Sequence, residues 1–176
     1  FRKYGNSRKG KDMEKGKDDK EDVDNGQACL YHYTSFRWLL YILQKKCLPM
    51  KSPEYWDDKN DSALLLKTAG DDEKVGAFCM TRSKKNTSFR WFMFGRDDIG
   101  VRIAFDQKKI KSLKNQRIHL SGNEIKYITK KELRETIKNK NNPAFIKRFA
   151  YADEMEYRMV CYSKNIIKDN LVAEVP

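Results

Sequence analysis

The sequence changes its period at a single residue. In "CLYHYTSFRWLLYILQKKCL", residues 29–48, the run "CLYHY" reads as a strand up to Ser35. Phe36, Leu39, Leu40 and Leu43 then recur at the i, i+3, i+4, i+7 spacing of an amphipathic helix. Ser35 is the expected N-cap, and Lys45 and Lys46 suit the C-terminal end, where cations meet unpaired carbonyls. A strand running straight into a helix commits the chain to mixed α and β structure. Further along, "VGAFCMTR" and "VRIAFD" read as strands, "NEIKYIT" as another, and "DSALLLKTA" as a short helix. "TKKELRETIKNK" reads as a helix opened by a Thr129–Glu132 capping box, and Pro143 suits a helix start in "NPAFIKRFAY". "NTSFRWFMFG" is either a turn of helix or a wide loop.

The segment "DEMEYRMVCY" alternates. Met155, Tyr157, Met159 and Cys161 fall on one face, and Glu154, Glu156 and Arg158 on the other. The plain reading is a half-exposed strand with solvated charges, with Arg158 paired to Asp153 or Glu154. The chemical reading is two carboxylates in a cleft, one stabilising a cationic sugar and the other polarising an acceptor.

Charge is unevenly spread. The chain of 176 residues carries a net +12, with 39% hydrophobic residues, enough for a real core. Residues 1–28 hold eight Lys/Arg against seven Asp/Glu and little apolar content, the composition of a flexible charged tail ahead of a single domain at 29–176. Residues 108–148 hold thirteen Lys/Arg against three Glu. That stretch is either a solvated helical face or a polyanion patch, with Lys130, Lys131 and Lys138 as nucleic-acid contacts. No apolar run reaches the roughly 20 residues of a membrane helix, and no secretory-leader pattern opens the sequence. Cys29, Cys47, Cys79 and Cys161 are scattered, without metal-ligand spacing, as expected of reduced thiols in a cytoplasmic protein that uses no metal.

Four segments in order resemble a known family. "LYHYTSFRWLLYIL", "SPEYWDD", "FCMTRSKKNTSFRWFMFGRDDIGVRIAFD" and "EMEYRMV" are similar to the YxYxS…FND…MWxxY…ExEyR pattern of a widespread bacterial domain of unknown function. That family's opening and closing strands are similar to ADP-ribosyltransferases. Trp56 and Asp57 stand where Phe and Asn are usual, and Met80–Thr81–Arg82 replaces the usual serine or glutamate, leaving Thr81 and Ser83 as stand-ins.

The resemblance implies an α+β fold, a split β-sandwich of two small crossed sheets with flanking helices and NAD, as substrate, in the cleft. It implies that His32 binds the adenosine ribose and that Tyr33, Thr34, Ser35, Thr81, Trp91 and Phe94 line the pocket. Glu156 would stabilise the oxocarbenium ion as nicotinamide leaves, and Glu154 would select or activate a protein or nucleic-acid acceptor. The function so implied is an ADP-ribosyltransferase-like or NAD-cleaving enzyme, with a role in bacterial or phage conflict. The alternative is a non-catalytic nucleic-acid-binding or protein-inhibitor module on the same fold. Convergence of His32, Glu154 and Glu156 on one cleft would favour the enzyme, and opposite facing would favour the module.

Overall fold

A computed structural model describes residues 23–24, 27–94, 99–113, 119–138, 143–163 and 171–174. Strand β2 (Gln27–Ser35) runs into helix α1 (Phe36–Lys45) at Ser35, as the change of period predicts, although the Ser35 side chain makes no capping bond. Lys46 closes α1 in the left-handed region at φ 50°, reversing the chain into β3 (Cys47–Met50). Asp58 caps α2 (Lys59–Leu66) by accepting from the backbone N–H groups of Asn60 and Asp61. After β4 (Lys74–Thr81), the ambiguous aromatic segment is a helix, α3 (Ser88–Phe94). β5 (Gly100–Asp106) leads into α4 (Gln107–Ser112), which Asp106 caps.

The expected "NEIKYIT" strand divides between the end of β6 (His119–Glu124) and β7 (Lys126–Ile128), where Ile125 N–H turns to bond the Glu156 carbonyl. The capping box of α5 (Lys130–Lys138) is present: Thr129 N–H and Oγ1 both meet Glu132 Oε2 at 2.7 Å. Pro143 opens only a short 3-10 turn rather than the expected helix. Strand β8 (Ile146–Arg148) follows, then a second 3-10 turn (Phe149–Glu154) and β9 (Glu156–Ser163).

Five strands form one antiparallel sheet in the order β5–β2–β4–β9–β6. β2 pairs with β5 over seven residues but touches β4 at one register position only, Tyr31 opposite Thr81. β7 and β8 pair in parallel around α5, and β3 pairs with β10 (Leu171–Glu174). The fold class is therefore mixed α and β. β1 (Val23–Asp24) pairs with β2, Val23 opposite Ala28, and residues 1–22 of the expected tail lie outside the described set. No helix among the described residues is long and apolar enough to cross a membrane.

Two cores lie on the two faces of β4 and β9. Leu30, Leu48, Met50, Phe78, Met80, Ile110, Tyr157, Met159 and Cys161 fill one, under α4 and β3. Leu65, Val75, Ala77, Ala144 and Val160 fill the other, under α2. This corrects the half-exposed reading of β9. The strand is buried on both sides, so its polar face must be neutralised internally rather than by water.

Candidate functional site

Glu156 begins β9, and Arg158 follows on the same face. Their side chains are 6% and 1% exposed, so each needs a partner within the protein. Arg158 Nε donates to Glu156 Oε1 at 2.7 Å, and its fork closes on Asp61 of α2, Nη1 to Oδ1 at 3.0 Å and Nη2 to Oδ2 at 2.7 Å. Nη1 also reaches the Ala144 carbonyl, and the guanidinium lies 5.0 Å from the Trp56 ring centroid. Arg158 thus pairs with Glu156 and Asp61, not with Asp153 or Glu154 as the sequence suggests. A left-handed backbone is the reason. Met155, at φ 47°, ends the 3-10 turn that holds Glu154 and starts β9 one residue later, so Glu154 and Glu156 are not strand neighbours.

Lys147 of β8 reunites them. Its Nζ bonds Glu154 Oε2, donates to Glu156 Oε2 at 3.2 Å and lies 3.7 Å from Asp61 Oδ2. Burial alone would lower the lysine, yet the carboxylates of Glu156, Glu154 and Asp61 hold its ammonium above the usual value. Burial would likewise raise Glu156, but Arg158 and Lys147 pull its carboxyl down to about 2, helped by a hydrogen bond from the Cys79 thiol. Glu154 goes the other way, because burial outweighs its bond to Lys147 and leaves it above the usual carboxylate value. The Cys79 thiol is held far above the ordinary range, by burial first and the Glu156 carboxylate second. Tyr127 completes the cluster: its hydroxyl accepts from Glu156 N–H at 2.8 Å, and burial pushes its own ionisation up to about 12.

Register decides what faces this cluster. Tyr31, Thr81 and Glu156 are cross-strand neighbours on one face, and Tyr33 shares it. His32, one residue along, projects to the other. It stacks on Phe78 with ring centroids 4.1 Å apart, and Nδ1 donates to the Cys79 carbonyl at 2.8 Å. Desolvation lowers its pKa to about 4, so it is a neutral, half-buried histidine packed on Phe78. The expected convergence of His32 with Glu154 and Glu156 is not observed.

The remaining expected pocket residues have internal work. Tyr33 meets Trp91 edge-on at 5.1 Å and donates weakly to Lys85 O and Asn86 Oδ1. Thr81 Oγ1 donates to the Glu154 carbonyl at 2.6 Å and accepts from Ser83 N–H. Thr34 is buried and Ser35 half-buried. The side chain of Phe94 lies outside the described set, as does that of Lys138. The basic stretch 108–148 splits: α4 sits over the first core through Ile110, whereas α5 lies beside α2 on the other side. Lys130 and Lys131 are exposed on α5, as is Lys126 on β7.

The sequence reading missed Asp61 and Lys147. Asp61 falls at i, i+3, i+4 with Leu64 and Leu65, so a carboxylate on the apolar face of α2 was a readable signal. Lys147 stands in the run "AFIKRFAY" and looked like one more basic residue. Beside them a cavity of about 520 Å³ opens between α2, α5 and β8, lined by Asp58, Asp61, Leu64, Leu133, Lys147 and Arg148 among others. Glu154 and Glu156 do not line it. Comparison with protein-family models, with curated proteins and with solved structures finds no match to this chain.

Proposed function

We propose that this chain is a non-catalytic binding domain that holds nucleic acid on the lysines around β7 and the start of α5: Lys126, Lys130 and Lys131. One observation carries the reading. These three ammonium groups are exposed and form no ion pair among the described residues, whereas Lys147, Arg148 and Arg158 are each committed to carboxylates. Unpaired surface lysines gain most from displacing the counterions of a phosphate chain. They supply attraction without base reading, since a lysine presents a point charge rather than a fork.

The second reading is an NAD-cleaving, ADP-ribosyltransferase-like enzyme. In its favour, Thr81, Glu154 and Glu156 are brought together next to β2. Against it, the Glu156 carboxylate is shared between Arg158 and Lys147, and it must give up those partners to face an oxocarbenium ion.

One pair of assays separates the readings. Labelled single- and double-stranded oligonucleotides are titrated by fluorescence anisotropy at about 50 mM salt, and nicotinamide release from NAD is followed in parallel. Binding without nicotinamide release is the expected result. Release that disappears in Glu156→Gln would establish the enzyme instead, and absence of any oligonucleotide binding would remove the nucleic-acid role.

A further inference from the structure

We infer that the cavity between α2 and α5 is a binding site for a small organic monoanion with an apolar body, the chemistry of a medium-chain carboxylate. Its volume of about 520 Å³ lies within the usual range for small-ligand sites, roughly 300–1,000 Å³. Leu64, Ile128 and Leu133 form an apolar wall. The polar groups on the rest of the wall are unequal in what they have left to offer.

The two carboxylates are used up. Asp61 Oδ1 accepts from Arg158 Nη1, and Oδ2 accepts from Nη2 with Lys147 beside it. Asp58 Oδ1 accepts from two backbone N–H groups of α2, and Oδ2 accepts from Arg148. The donors are in surplus. Both hydrogen bonds of Arg148 leave from Nη2, to Asp58 and Tyr151, so Nη1 has no partner among the described residues. Lys130 has none there either.

A wall with spare charged donors and engaged carboxylates favours a ligand that accepts, and a carboxylate is the strongest such group. Charge limits it to one negative unit. Of the charged side chains that line the cavity, Lys130, Lys147 and Arg148 face Asp58 and Asp61, an excess of one positive charge that matches a monoanion and not a dianion. The carboxylate would bridge Lys130 and Arg148 at the mouth, with the alkyl body against the three apolar side chains. This inference shares Lys130 with the nucleic-acid reading, whereas Arg148 and Leu133 belong to the cavity alone and keep the two tests distinguishable.

The test is calorimetric titration of the full chain with octanoate, with 1-octanol as the uncharged control and octyl phosphate as the dianion. Octanoate is expected to bind more tightly than either. Lys130→Gln and Arg148→Gln should each weaken octanoate by about tenfold, the loss of one charge-assisted hydrogen bond, and leave 1-octanol unchanged. Leu133→Gln should weaken both. Circular dichroism checks that each variant is folded, and the exposed Lys130→Gln carries the conclusion if Arg148→Gln is not. The inference is overturned if octanoate does not bind at millimolar concentration, if octyl phosphate binds more tightly, or if folded Lys130→Gln binds octanoate as wild type does.

Discussion

Arg158 and Asp61, 97 residues apart in the chain, meet as a two-bond fork inside the domain, with both side chains at least 95% buried. That contact locks α2 onto β9, and Lys147 and Glu156 close the network around it.

Removing one member leaves a buried charge without its partner. Asp61→Ala should destabilise the domain by about 3–5 kcal/mol, read as a lower urea midpoint at unchanged m-value. A loss below ~1 kcal/mol would mean that the fork is dispensable to the fold.

Stability should depend on pH through Glu156. Its carboxyl is lowered from 4.5 to about 2 in the folded chain. The unfolded state therefore binds more protons between those values. The stabilisation is complete above about pH 4.5 and is lost as pH falls toward about 2, on the order of 3 kcal/mol. Glu154 is shifted upward and works in the opposite sense, so the informative quantity is the difference between wild type and Glu156→Gln. Denaturation at stepped pH should show a shallower acid slope in the variant; equal slopes would contradict the assignment.

His32 should titrate as a desolvated group. Its imidazole is lowered from 6.5 to about 4. Folding is favoured above the higher value and loses that contribution as pH falls toward the lower one. In a proton NMR titration of the folded chain, the His32 ring should still be neutral at pH 5, about one unit above its folded pKa. A midpoint near the ordinary histidine value would place the ring in solvent.

Oligonucleotide affinity should fall linearly with the logarithm of salt. Reversing Lys126, Lys130 and Lys131 to Glu should reduce the slope for single strands by about 2, at ~0.7 for each phosphate no longer neutralised. An unchanged slope would move the interface to other lysines, those of α4 first.

Gly122 in β6 stands opposite Met159, and the Tyr157 ring, two residues away on β9, reaches it diagonally. A Cβ there would meet the Tyr157 hydroxyl at 2.6 Å. Gly122→Ala should cost about 1–3 kcal/mol through overpacking, and Tyr157→Phe should recover part of that in the double variant. Strict additivity in denaturant unfolding would show that the two side chains do not compete for space.

Much of the architecture was readable. The change of period at Ser35, the capping box at Thr129 and the strands at residues 74–81 and 100–106 all follow from local pattern, because each is set by neighbours within a few residues. The alternation of residues 155–161 was also correct in separating the Tyr157 face from the Arg158 face. What covers each face was not readable, since it depends on α2 and β8, distant in sequence. A strand with one apolar and one charged face looks half-exposed until another element brings a compensating charge, and here Asp61 and Lys147 supply it. The break at Met155 escaped the pattern as well, because a left-handed methionine has no sequence signature, and it moved Glu154 off the strand. The residue types that could carry charge chemistry were thus determined by the sequence alone. Whether their charges face a ligand or one another was decided by the tertiary structure, because burial makes neutralisation obligatory and only distant elements can provide it.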